Sequence, residues 1–275
     1  MAIFTAIAAI VTGWAAAAGA TALWAAAIGW AATAVLAIGI SSLITKRMMG
    51  DATSGGPSGG RVQLPPATDN KLPVIYGSSY LSGPIIDAKI STDQEYMWYV
   101  IALAEVSDDQ GGGGGTISFD LNNIYYDGKR AVVSASDGNV SQLVNNTTPP
   151  QYDTKISGNL NIYLFTNGSS SGVNTGGLTA IQILNDNRIP IAARWPSTSV
   201  MSNTAFAIVR IKYNTDAYTT SLGAVQFRMT SSITKPGDAI LDYLLNDRYG
   251  CAVPLTRIDT ASLTALNAYS DEQID

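Results

Sequence analysis

Ala205-Phe206-Ala207-Ile208-Val209-Arg210-Ile211-Lys212-Tyr213 decides how the body of this chain folds. Phe206, Ile208, Arg210 and Lys212 alternate with Ala205, Ala207, Val209, Ile211 and Tyr213, a sheet-like pattern with one dry face. Outward from it, the same reading assigns strands to Leu72–Tyr76, Ser79–Ile90 with a bend at Gly83-Pro84, Tyr96–Glu105 and Thr116–Tyr126. Ala131–Ser134, Asn159–Phe165 and Ala224–Met229 complete the set; all are rich in Val, Ile, Tyr and Phe and bounded by turn residues. Asp127-Gly128, between Ile124-Tyr125-Tyr126 and Lys129-Arg130-Ala131-Val132-Val133, is a strong hairpin signal. Residues 70–235 are therefore expected to form a mainly β, sandwich-like body.

Gly111–Gly115 and Asn167–Gly177 read as mobile surface loops. The glycine run is not a phosphate loop, because Thr116-Ile117-Ser118-Phe119 opens a strand where a Lys-Ser/Thr and a helix are required. Helices are expected at Leu178–Asn185 and at Asp238–Leu245, the latter capped by Asp238. A third starts near Asp259 and carries Leu263, Leu266 and Tyr269 at helical spacing. Residues 236–275 thus read as a helical segment, interrupted before any closing strand.

The first 45 residues are of another kind. They carry no charge, 34 of them are apolar, and they hold 17 Ala and three of the five Trp before ending at Lys46-Arg47. Residues 1–49 read as a long hydrophobic helical segment, and 50–69 as a flexible Gly/Ser/Pro tether. Gly13, Ala17, Thr21, Ala25 and Gly29 recur every four residues and form a small-residue stripe suited to close helix packing. A secretory signal, a permanent membrane anchor and a self-associating bundle that later meets membrane all compete here. The first lacks a basic start and exceeds the usual length, and the Ala/Gly content makes a poor permanent anchor; the bundle fits best.

Composition removes chemistry. The chain of 275 residues has no His and one Cys, Cys251, so imidazole-based nucleophilic sites, Cys/His zinc sites and intrachain disulfides are excluded. With a net charge of −5 and no basic blocks it is a poor nucleic-acid binder. Carboxylate pairs remain: Asp108-Asp109, Asp242 with Asp247, and Asp271-Glu272. None has the aromatic cleft of a glycosidase, and acids at helix ends are usually capping or solvated. No catalytic residue, cofactor or metal ligand is nominated; the chain is not expected to be an enzyme.

Three segments resemble the tail tip proteins of lambda-type long-tailed bacteriophages. The hydrophobic segment with its basic end and polar tether is similar to the C-terminal half of their tail assembly protein. Asn70-Lys71-Leu72-Pro73-Val74-Ile75-Tyr76-Gly77, running on through Gly83-Pro84-Ile85-Ile86-Asp87-Ala88-Lys89-Ile90, resembles a Leu-Pro-Val-hydrophobic-Tyr-Gly segment of that same protein. Asp238-Ala239-Ile240-Leu241-Asp242-Tyr243-Leu244-Leu245-Asn246-Asp247-Arg248-Tyr249-Gly250 resembles the hub region of the tip attachment (host-specificity) protein. Leu72, Pro73, Tyr76, Gly77, Asp247, Arg248, Tyr249 and Gly250 carry the likeness, and each is read as local architecture. Gly250 is expected to be a left-handed helix cap, with Tyr249 folded back on the helix.

The resemblance implies a structural part of the virion at the distal end of the tail, assembled as a homotrimer. It would contact other tail tip proteins, distal tail proteins and the tape-measure protein, close the tube, anchor receptor-binding parts and open for DNA ejection. The hydrophobic helix would meet host membrane during infection. Related proteins continue into further regions that this sequence does not reach. A membrane-anchored β-domain of a bacterial surface is the alternative, and a pore-forming, toxin-like protein a third.

Overall fold

The period-two segments build two antiparallel sheets. The computed structural model describes residues 72–107 and 115–272. The hydrophobic segment with its stripe Gly13, Ala17, Thr21, Ala25 and Gly29, the tether and Asp108-Asp109 lie outside the described residues. The strands are β1 (Ser78–Leu81), β2 (Ile85–Ile90), β3 (Tyr96–Glu105), β4 (Ile117–Tyr126) and β5 (Lys129–Val133), followed by β6 (Val140–Asn145), β7 (Gln151–Asp153), β8 (Leu160–Phe165), β9 (Thr204–Lys212) and β10 (Val225–Ser231). One sheet runs β1-β10-β4-β5-β6-β7 and the other β2-β3-β9-β8. The described residues are mainly β, as expected.

The sheets share one core. Ile124, Val225 and Phe227 from the six-stranded sheet pack with Ile101, Ile162 and Val209 from the four-stranded one, all fully buried. Burying six such side chains stabilises the fold by roughly 1.5–3 kcal/mol each. Gly83 lies where the chain leaves the first sheet for the second: a Cβ there would sit 1.7 Å from the Ala102 carbonyl oxygen, so only glycine passes. The predicted strand Ser79–Ile90 is thereby split into β1 and β2, one in each sheet.

β9 corrects the expectation of a single dry face. Ala205, Ala207, Val209 and Ile211 face the shared core, while Phe206 and Ile208 are just as dry in a second core on the other side of the sheet. That core is covered by helix α1 (Ala180–Leu184) through Ala180, Ile183 and Leu184. Thr179 and Gln182 start α1 with a reciprocal capping box. Phe165 stacks on Phe206 with ring centroids 4.7 Å apart, and the Arg188 guanidinium lies 4.2 Å over Tyr96 at the rim. Only Arg210 and Lys212, toward the strand end, reach water.

Residues 167–177 are also not the free loop their composition suggests. Asn174 is fully buried; its Oδ1 accepts from the Leu164 N–H (2.9 Å) and its Nδ2 donates to the Ile162 carbonyl (2.8 Å). The amide replaces a neighbouring strand along the outer edge of β8. Two more expectations fail in detail. Leu72–Tyr76 is not a strand but an extended run with a single bridge, Val74 to Glu105. β6 and β7 form where the sequence, with Ser141, Gln142 and Asn145, gave no strand signal.

The C-terminal residues form α2 (Pro236–Leu245) and α3 (Thr260–Ser270). Asp238 does not cap α2: Lys235 is the N-cap, Pro236 opens the helix, and Asp238 accepts from Asn267 Nδ2 at 2.7 Å. Asp259 does cap α3, accepting from the Ala261 and Ser262 N–H groups. The two helices meet along Gly237, Leu263 and Asn267, where a Cβ on residue 237 would fall 2.2 Å from the Leu263 carbonyl oxygen. Lys235 closes the pair on Asp271 at 2.6 Å. Of the stripe Leu263, Leu266, Tyr269, only Leu263 lies at this contact; Leu266 is exposed and Tyr269 is 71% exposed.

Candidate functional site

Tyr76 and Tyr249, from segments about 170 positions apart, meet at one carboxylate. Asp242, on the inner side of α2 and 8% exposed, accepts at Oδ2 from Tyr76 Oη (2.7 Å) and from Tyr249 Oη (2.7 Å). Ser107 Oγ donates to its other oxygen. Arg248, beside Tyr249, forms an ion pair with Glu105 at the end of β3. The junction thus ties three pieces together: the run after Leu72, the end of β3 and the turn after α2.

Each piece is held locally. The Glu105 N–H donates to the Pro73 carbonyl (2.9 Å). Gly77, at φ +70°, exchanges backbone bonds with Ser231 and Ile233, both 2.8 Å, a conformation that favours glycine. These bonds fix the backbone from which Tyr76 reaches α2. On the other side, Asn246 Oδ1 accepts from the Arg248 (2.9 Å) and Tyr249 (3.2 Å) N–H groups and folds the chain back over the helix end. The Cys251 and Val253 N–H groups then donate to the Tyr243 and Leu244 carbonyls, satisfying the last turn.

Gly250 serves this return for a different reason than expected. It is not the left-handed residue; Ala252, at φ +51°, is. A Cβ at 250 would stand 2.0 Å from the Tyr243 carbonyl oxygen, so glycine is needed for close approach. Tyr249 does fold back on the helix, but through its hydroxyl to Asp242. Leu72 is half-buried, and Asp247 is exposed.

The electrostatics suit a latch. Burial, and then the bond to the Asp242 carboxylate, push the Tyr76 hydroxyl far above the ordinary tyrosine range, so it remains a donor at any physiological pH. The Asp242 oxygen that faces the two tyrosines accepts a hydrogen bond from each phenolic hydroxyl. Among the described residues no cluster of three or more metal-binding side chains occurs, and no helix is long and apolar enough to cross a membrane. The sequence singles out Tyr76, Arg248 and Tyr249 but not Asp242 as the common partner of the two tyrosines, nor Glu105 as the partner of Arg248, nor Ser107. Tyr249 lies beyond the end of α2, in the turn held by Asn246, so helical spacing gives no signal for its contact with Asp242.

Neither α2 nor α3 contributes a side chain to either hydrophobic core. The junction that ties them to the sandwich is polar, with Leu241, Leu244 and Leu245 of α2 half-buried, while Ile240, Tyr243 and Tyr269 on the helical pair, and Leu255 between the helices, remain exposed. The chain matches no protein-family model and no curated protein.

Proposed function

We propose that this chain is a structural component of a bacteriophage tail tip, a β-rich hub subunit that assembles as a homotrimer at the distal end of the tail tube. In this role it closes the tube, anchors receptor-binding parts and takes part in DNA ejection. The hydrophobic N-terminal segment contacts the tape-measure protein or host membrane. The protein is not an enzyme, carries no cofactor and binds no specific nucleic acid.

One observation supports the reading most. The two described segments that resemble tail tip proteins, around Leu72–Gly77 and Asp242–Gly250, are joined through the same carboxylate. Likenesses arising by chance in separate stretches have no reason to converge on one junction. A mass-spectrometric inventory of purified virus particles from the source tests the proposal. Peptides of this chain should be present at tail-protein stoichiometry, and disrupting its gene should give particles with defective tails. Recovery only from membranes of uninfected cells would overturn the reading and favour the cell-surface alternative.

A further inference from the structure

The four-stranded sheet has two edges, and the molecule treats them differently. At β8 the chain covers its own edge: Gly138, Val173 and the Asn174 amide take up the backbone groups of Ile162 and Leu164. At the other end, β2 terminates the sheet, and among the described residues nothing pairs with its outer side. Ser91 donates to Tyr96 across the β2–β3 turn (2.9 Å). By antiparallel alternation Lys89 and Asp87 then direct their N–H and C=O groups toward β3, and Ile90 and Ala88 direct theirs outward. Ile86 is 48% and Ile90 53% exposed, with Ala88 exposed between them. An open, apolar strand edge is a template for another strand.

The sequence of that edge states which strand fits. Ile86-Asp87-Ala88-Lys89-Ile90 reads the same in both directions apart from its charges, and the charges are opposite. Antiparallel pairing of two copies about Ala88 sets Ala88 against Ala88 and Ile86 against Ile90. It also sets Asp87 against Lys89, twice by symmetry. Within one copy Lys89 lies 2.9 Å from its own Asp87, with Trp195 Nε1 donating to that carboxylate. In the pair the same two charges meet their opposites across the strands on that face. Ala88 and Ile90 lie on the other, the face of their partners Tyr99 and Met97, which pack against the shared core; the register shift of β2 against β3 falls at Ile86. A foreign strand would have no reason to match this charge pattern.

We propose that β2 is a self-complementary dimer edge, through which two copies of this chain join their four-stranded sheets into one continuous eight-stranded sheet. Such a contact is isologous and closes at two copies. It is independent of the tail-tip reading, since a three-fold ring has to use a different surface.

The test is register-specific cross-linking of the full chain in a Cys251→Ser background, which removes the only native thiol. With Ala88→Cys, the two introduced thiols face each other at a Cα separation of about 5.5 Å, within disulfide range. Mild oxidation should convert most of the chain to a covalent dimer. Ile90→Cys alone should give none, because identical positions are then about 13 Å apart along the strands, and Ile86→Cys alone should give none for the same reason. Asp87→Lys and Lys89→Asp, each placed on Ala88→Cys, should each lower dimer yield at least tenfold. Mixing those two variants should restore it, which also shows that both are folded. Absence of Ala88→Cys dimers, equal cross-linking at all three positions, or capture of Ala88→Cys only by a different particle protein would overturn the proposal.

Discussion

Replacing Asp242 by alanine should release the C-terminal helical pair while leaving the sandwich intact. The change removes the common acceptor of Tyr76, Tyr249 and Ser107. A donor stranded without a partner costs about 1–3 kcal/mol, and hydrogen bonds to a charged acceptor contribute about 1.5–3 kcal/mol. The junction is only partly shielded, with the Arg248 side chain 42% exposed, so water can rescue part of the loss. A net cost of about 3–4 kcal/mol is expected on that basis, equivalent to roughly 10²–10³ in a local opening equilibrium. Because α2 and α3 place nothing in either hydrophobic core, this cost should appear locally. Hydrogen exchange with peptide-level mass spectrometry reads it directly: amides of α2 should exchange 10²–10³-fold faster, while those of β3 and β9 keep wild-type rates. Tyr76→Phe and Tyr249→Phe should each give a smaller acceleration, about tenfold, and combine non-additively because they share Oδ2. Uniform acceleration across sandwich and helices would refute the argument. So would an unchanged α2, since either outcome means that the helices are held by something other than the carboxylate.

Three further outcomes follow from particular contacts. Gly83→Ala should leave little folded protein, because its Cβ would overlap the Ala102 carbonyl oxygen; a soluble variant with an unchanged melting curve would contradict the geometry. Leu184→Ala should lower stability by about 2–4 kcal/mol through a cavity beneath α1, measured by denaturant midpoint, with loss confined to the second core. Asp127→Asn should be stabilising near neutral pH. Burial holds the Asp127 carboxyl above its ordinary range, so its contribution is fully present below the unfolded pKa and is lost as pH rises through the folded one. The amide keeps an acceptor for the Ala224 N–H and suits the φ of +49° at this turn. The gain should vanish in acid; a gain independent of pH would show that backbone preference alone is responsible.

Most of the sheet framework was legible in the sequence: Ile117–Asn122 alternates apolar with polar as a half-buried strand must, and Tyr96–Glu105 and Ala205–Ile211 are apolar runs rich in aromatic and β-branched residues. Asp127-Gly128 placed the β4–β5 hairpin for an equally local reason: both residues take positive φ. The failures share another cause. β6 and β7 are short strands whose pairing is fixed by their neighbours: in Val140–Asn145 the buried Val140, Leu143 and Val144 do not alternate with polar residues, and Gln151–Asp153 is too short to show a pattern. Phe206 and Ile208 are dry because α1 lies over them, a fact about a helix some twenty residues earlier in the chain. Asn174 looked like loop material because asparagine usually is; that its amide stands in for a strand at β8 depends on where Ile162 and Leu164 happen to point.

The junction was half legible, and the missing half explains why its residues looked unrelated. Read locally, Leu72–Gly77 suggested a strand and Asn246–Gly250 a helix end, each sufficient as architecture. What neither segment contains is the reason for its tyrosine. Tyr76 extends from an irregular run with one bridge, and Tyr249 from a turn held by Asn246; both have a hydroxyl that burial would strand without an acceptor. One carboxylate on the helix between them satisfies both, and Ser107 takes the remaining oxygen. The same arrangement accounts for the exposed apolar residues on α2 and α3. A helical pair docked through its own apolar face would have no need of the latch, whereas one docked through hydroxyls and an ion pair leaves Ile240, Tyr243 and Tyr269 facing outward. The polar attachment and the exposed face are thus one feature of the structure, and disturbing Asp242 should change the first without burying the second.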